Sequence, residues 1–263
     1  MRKYILRAAG FLSIAVCLTI TGWKAAKKKE PIIKSRIIKH RSIAGLDSIY
    51  IKHVNDLYNA THLKEAGLNF PVFEKALTGF YNLKKSGQLS DKSILTIADF
   101  DQSSTSKRFY IIDLDKKEIL LNTWVAHGER SGGNEAKYFS NNNNSFSSSL
   151  GFYVTGEIYK GIHGKSLKLD GVDEGFNNNA RNRSIVVHGA SYVSRETINA
   201  LGRLGRSQGC PAVAPEVANK VIATIEDKTV LFINKSAETY QSKYLDETLA
   251  ANFALDTANH AMD

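Results

Sequence analysis

The sequence predicts a mainly β domain with one or two helices, preceded by a small helical annex, and three observations carry that expectation. From Ile94 onward, short runs rich in β-branched and aromatic residues alternate with turn formers. Before them, residues 43–90 carry apolar side chains at helical spacing. The chain has 263 residues, 43% of them hydrophobic and 23% charged, which suffices for one sizeable core with extensions and excludes global disorder.

Taken in order, the first 23 residues place Arg2, Lys3 and Arg7 before an apolar run from Ala8 to Trp23 that Lys24 closes. That is the layout of a secretory signal, and the run is short for a membrane span. A cleaved signal and a retained N-terminal anchor both fit, so membrane association through this segment stays open. Cys17 follows Val16, which is bulkier than the small residue a lipidation site prefers. Residues 24–42 read as a basic linker.

The annex spans residues 43–90. Phe73, Ala76, Leu77, Phe80 and Leu83 form one stripe of a helix that Pro71 opens and Gly87 closes, with a weaker segment from Ile49 to Ala66 packed beside it. The β domain is expected over residues 91–235. Its candidate strands are Ile94 to Phe100, Arg108 to Leu114, Glu118 to Val125, Leu150 to Ile158, Ser184 to Val187 and Thr229 to Ile233. Asp115 and Lys116 read as a hairpin turn, and Val217, Val221, Ile222 and Ile225 as one face of a helix begun by Pro215. Polar runs at Asn141–Asn144, Ser147–Ser149 and Asn177–Asn179 suit loops. Residues 236–263 show no strong apolar face and are expected to form a polar, fraying tail.

The net charge of +9 suggests a nucleic-acid partner until its location is considered. Met1 to Arg41 hold 11 Lys or Arg and one acidic residue, leaving 24 basic and 25 acidic residues in the rest. A near-neutral folded portion has no surplus from which to build a phosphate-binding face, so no nucleic-acid partner is expected.

Of the two cysteines, Cys17 belongs to the targeting segment, which leaves Cys210 without a disulfide partner in an exported chain. Cys210 lies in Arg203-Leu204-Gly205-Arg206-Ser207-Gln208-Gly209-Cys210-Pro211, a glycine-containing turn flanked by arginines. Positive charge nearby favours the nucleophilic thiolate, and Gly209 lets backbone approach a substrate carbonyl, so the amides around Cys210 are expected to face the oxyanion. A base is needed as well. His127, His163 and His188 each precede glycine, and His188 follows the apolar run Ile185-Val186-Val187, at a strand end fixed by the sheet and open to substrate.

The pattern His188-Gly189 followed by Ser207-Gln208-Gly209-Cys210 resembles the signature of the YkuD-type L,D-transpeptidases. It is closer still to the branch described as murein L,D-transpeptidase catalytic domain-like. The resemblance extends through Ile97-Ala98-Asp99-Phe100, Val125-Ala126-His127-Gly128, Ser148-Ser149-Leu150-Gly151-Phe152, His163-Gly164-Lys165-Ser166-Leu167 and Gly202 to Ser207. It implies a β-sandwich catalytic domain with Cys210 as nucleophile, His188 as proton acceptor and the carbonyl of Gly189 orienting the imidazole. Arg203, Arg206, Ser207, Gly209 and His127 are the expected substrate contacts; no metal and no cofactor is expected. Many relatives have His in place of Gln208 and Arg in place of Ala212, so the positive charge for a substrate carboxylate falls to Arg203 or Arg206.

The implied substrate is a peptidoglycan stem peptide. Cys210 attacks the carbonyl of its third residue, terminal D-Ala leaves as a thioester forms, and an amine resolves the thioester into a 3-3 crosslink or a related product. This places the protein in the periplasm or cell envelope. The rival readings are an L,D-carboxypeptidase or amidase-type hydrolase of the same fold, a non-catalytic wall-binding protein, and a metal-dependent envelope hydrolase. The last would use His127, His163, His188 and Cys210, which lack the short ligand spacings typical of zinc sites.

Overall fold

Apolar spacing makes the annex helical. Helix α1 (Ile43–Ala60) buries Tyr50, Val54, Leu57 and Tyr58, three to four residues apart on one face. Helix α2 (Phe70–Lys85) has Pro71 in its first turn, where no N–H is required, and buries Val72, Phe73, Ala76, Leu77, Phe80 and Leu83. Ser86 caps it, and Gly87 follows at φ +71°, a left-handed conformation that glycine adopts without strain. The computed structural model describes residues 43–162, 164–236 and 239–260. The expected signal, the basic linker and His163 lie outside the described residues. Among the described residues no helix is long and apolar enough to cross a membrane.

The domain that follows is mainly sheet. Strands β1 (Ile94–Asp99), β2 (Phe109–Asp113), β3 (Glu118–Thr123), β4 (Gly151–Gly161), β5 (Gly164–Gly171), β6 (Val186–Gly189), β7 (Ala212–Val213) and β8 (Val230–Asn234) join one eight-stranded sheet. Their order is β3-β2-β1-β8-β4-β5-β6-β7. The pairs β1/β8 and β6/β7 are parallel and the others antiparallel.

Alternation along each strand divides the sheet into two faces. Leu95, Ile97, Tyr110, Ile112, Phe152 and Phe232 face the annex helices in one core. Ile94, Ala98, Phe109, Ile111, Tyr153, Leu231 and Ile233 face a second core, closed by Val221, Ile222 and Ile225 of helix α4 (Pro215–Ile225). Ile111 of β2 and Val187 of β6, from distant positions in the strand order, share that second core, so the sheet curls around it. Each such buried aliphatic side chain contributes about 1.5–3 kcal/mol, so both layers hold the strand ends rigidly. The Phe152 ring of β4 packs against Gly79 of α2, where an added Cβ would stand 2.0 Å from it.

Strands β5 and β7 and the C-terminal helix have no counterpart in the sequence expectation, whereas the sheet domain carries two helices, within the one or two expected. A short helix, α3 (Arg195–Leu201), fills the segment after β6; the Ser194 hydroxyl accepts the Thr197 N–H at 3.2 Å to cap it. Residues 236–263 do not simply fray. They include helix α5 (Glu247–His260), with Ala250, Ala251 and Ala254 buried in the helical core. Alanines give a weak hydrophobic signal yet allow close packing, which hides such a helix from a pattern search. The segment leading into α5 is anchored by polar groups. Asn82 donates to the carbonyls of Tyr244 and Asp246, both at 2.8 Å, and Asp173 accepts from Tyr240 at 2.7 Å and Ser242 at 2.5 Å.

Candidate active site

Strand pairing brings the chemistry together. β6 and β7 run parallel with His188 opposite Ala212 and Gly189 opposite Val213, so the turn ending at Cys210 arrives beside the start of β6. The Cys210 sulfur accepts the Val186 N–H at 3.5 Å and donates to the Ser184 carbonyl at 3.7 Å. Cys210 and His188 both line one cleft of about 700 Å³, together with Glu129, Tyr159, Arg183, Tyr192, Arg206 and Gln208.

His188 is buried, and its Nδ1 lies 3.0 Å from the Gly189 carbonyl. A carbonyl can only accept, so Nδ1 carries the proton of this bond, and a neutral ring has its lone pair on Nε2. The imidazole is thereby fixed in the tautomer that a general base needs.

The turn before Cys210 is shaped by hydrogen bonds. Gly209 sits at φ +120°, and a Cβ there would come within 2.7 Å of the Ser147 carbonyl. The Ser207 hydroxyl accepts the Gly209 N–H at 3.1 Å and donates to the Cys210 carbonyl at 2.6 Å. Because the Gly209 amide is committed to Ser207, it does not face the cleft as the oxyanion donor expected from sequence. Ser207 and Gly209 therefore shape the Cys210 turn from within.

The arginines separate. Arg206 lines the cleft and is held through Nη1 by the carbonyls of Glu129 at 3.2 Å and Gly132 at 2.9 Å. Arg203 is outside the cleft lining and donates to the Leu204 carbonyl at 2.7 Å. The sequence missed Arg183, from the β5–β6 connection, which is the arginine that acts on the thiol. Burial pushes the Cys210 thiol above its ordinary range, and the Val186 N–H and the Arg183 charge oppose that shift without cancelling it. Nothing in the run Asn177 to Ser184 marks Arg183 as different from a loop arginine.

His127 is also placed differently from the expectation. It is 1% exposed and lies outside the cleft lining, with Nδ1 accepting from Arg108 at 2.7 Å. Burial first, then the Arg108 charge, push its pKa down to about 4, so the ring is neutral. Arg108, itself fully buried, is pushed down to about 9 by burial. His127 supports the site through its backbone, its carbonyl accepting the Ser207 N–H at 3.0 Å. Ala212 is fully buried, its backbone bridged to Ala126 on one side and paired with His188 of β6 on the other. Among the described residues no three His, Cys, Asp or Glu side chains gather to hold a metal.

The sequence matches the family described as L,D-transpeptidase catalytic domain over residues 64–234. No curated protein sequence matches the chain. Among solved structures, it is similar to the helical cell shape determining protein Pgp2 (K307A mutant) from Campylobacter jejuni, at 15% identity and TM-score 0.38, covering 72% of this chain and 64% of that one. It is also similar to an L,D-transpeptidase from Mycobacterium smegmatis, at 12% identity and TM-score 0.33, covering 55% of this chain and 59% of that one. A third, an L,D-transpeptidase from Mycobacterium tuberculosis H37Rv, has 13% identity and TM-score 0.33, covering 55% of this chain and 58% of that one. This chain thus spans less than two thirds of each of these proteins. With a family match over more than half its length, the chain belongs to the L,D-transpeptidase catalytic domain family.

Proposed function

We propose that this protein is a cysteine acyltransferase of the cell envelope that acts on peptidoglycan stem peptides through a thioester on Cys210. The observation that carries this reading is the shared cleft of Cys210 and His188, with the imidazole held in one tautomer by the Gly189 carbonyl. His188 Nε2 takes the thiol proton as sulfur attacks the carbonyl of the third stem residue. Collapse of the tetrahedral intermediate breaks the peptide bond, and the imidazolium returns the proton to the departing D-Ala amine. An acceptor amine then attacks the thioester, its proton passing to His188, and the thiol is regenerated.

Two further groups fit this chemistry. Arg206 presents a guanidinium to the cleft, suited to a stem-peptide carboxylate. Tyr192 lines the same cleft, and burial, then the neighbouring Cys210 charge, push its phenol up to about 12. It therefore keeps its proton at neutral pH and can donate toward a developing oxyanion. The N-terminal layout of Arg2, Lys3, Arg7 and the apolar run to Trp23 supports export to the envelope.

The test is to incubate the protein and its Cys210→Ala variant with defined tetrapeptide muropeptides and resolve acyl-enzyme and products by mass spectrometry. The variant is expected to form neither, and turnover retained by it would overturn the mechanism. The second reading is hydrolysis, with water resolving the same thioester. It is favoured by the buried Ala212, which leaves the cleft without the arginine that relatives carry there. Free tripeptide product without crosslinks in the same experiment would select it.

A further inference from the structure

The segment 183–186 wraps the nucleophile from three sides. Val186 offers its N–H to the sulfur and Ser184 its carbonyl, and Arg183, the residue before Ser184, lines the same cleft. Arg183 is half-buried and its guanidinium is heavily committed. Nη1 donates to the Ser140 carbonyl at 2.8 Å and to the Ser149 hydroxyl; Nη2 donates to the Ser145 hydroxyl at 3.0 Å and the Ser147 carbonyl at 2.7 Å. All four acceptors belong to the polar loop between the 3-10 turn at Glu129–Ser131 and β4, whose Asn143, Asn144 and Phe146 form one wall of the cleft. Arg183 Nη2 and the Ser147 carbonyl also close around Gly209, standing 3.3 and 2.7 Å from where its Cβ would be.

We propose that Arg183 is the positioning residue of this site: one guanidinium fastens the 140–149 wall against the Gly209 turn and sets a fixed positive charge where the ionised sulfur of Cys210 forms. The role rests on Cys210 being the nucleophile. With both Nη groups committed to the loop, Arg183 is a poor anchor for a substrate carboxylate, which leaves that task to Arg206 in the same cleft. The planar fork of arginine can hold four acceptors at once, whereas the ammonium of lysine keeps the charge without that geometry. The other titratable or charged groups lining the cleft are His188 of β6, Tyr192 after it, Tyr159 of β4, Glu129, and Arg206 of the nucleophile turn.

The experiment is alkylation of the full-length protein by iodoacetamide across pH 6–10, read at Cys210 by peptide mass spectrometry, for wild type, Arg183→Gln and Arg183→Lys. This reaction needs no substrate, so it reports on Arg183 whether or not Cys210 proves to be an acyl carrier. Arg183→Gln is expected to react roughly three- to ten-fold more slowly at pH 7.5, with its titration midpoint moved up. Arg183→Lys is expected to keep a midpoint near wild type while losing acyl transfer through a slackened wall. An unchanged midpoint in folded Arg183→Gln would overturn the proposal. Should that variant fail to fold, a midpoint raised in Arg183→Lys would overturn it equally, because there the charge is retained.

Discussion

The Ser207 hydroxyl spans the Cys210 turn, accepting from Gly209 and donating to the carbonyl of Cys210 at 2.6 Å. A turn held this way has few alternative conformations. Ser207→Ala is expected to lose about 1 kcal/mol of stability through the lost hydrogen bonds. It is expected to slow thioester formation roughly ten-fold or more, because small displacements of a reacting atom are costly. Single-turnover acylation beside a denaturation curve measures both, and an unchanged acylation rate would contradict the role.

Gly209 should tolerate no side chain. Its φ of +120° is open to glycine, and a Cβ would meet the Ser147 carbonyl at 2.7 Å. Gly209→Ala is expected to cost about 1–3 kcal/mol from backbone strain alone, seen as a lower denaturant midpoint, and to displace the sulfur enough to abolish acylation. A variant with wild-type stability would show that the turn relaxes freely.

His127 makes the fold sensitive to acid. Its pKa falls from the usual 6.5 to about 4 on folding, because the ring is buried beside Arg108. Between those values the unfolded chain binds a proton that the folded one does not, so stability is full above about 6.5 and is lost as pH falls toward 4. The loss attributable to this ring is about 2–3 kcal/mol by pH 4.5. Urea denaturation at pH 7 and 4.5 should show a smaller difference for His127→Gln than for wild type; equal differences would assign the acid sensitivity elsewhere.

Arg206 should matter for binding more than for sulfur chemistry. Arg206→Gln is expected to raise KM for a carboxylate-bearing stem peptide roughly 10- to 100-fold, the worth of a charge-assisted pair. The penalty should vanish for a substrate whose carboxylate is amidated. An equal penalty on both substrates would remove Arg206 from that contact.

Much of the fold was legible in the sequence because alternation and β-branching are local signals. The expected strand Ile94 to Phe100 became β1 (Ile94–Asp99), and Thr229 to Ile233 became β8 (Val230–Asn234). The turn at Asp115 and Lys116 formed without glycine because the Asp113 carboxylate accepts both of their N–H groups. β5 escaped notice since Gly164, Lys165, Lys168 and Gly171 leave Leu167 and Leu169 as its only strongly apolar residues. The shared cleft of Cys210 and His188 follows from one short turn and one strand end, both visible in the sequence. Arg183 could not, because its part depends on which loop folds over it. His127 was misread because a histidine before glycine looks alike whether it faces solvent or a buried arginine.

The packing of α5 against both α1 and α2 bears on how the chain is made. α5 is the last described helix to be synthesised, and until it emerges the annex lacks the alanine face that covers it. The contact joins segments far apart in sequence, so it forms late and cannot be rehearsed by the growing chain. A nascent chain stopped short of Ala250 would display apolar annex surface to chaperones and proteases. Ala250, Ala251 and Ala254 of α5 thus act as a cover, and its removal would leave the apolar faces of α1 and α2 in water.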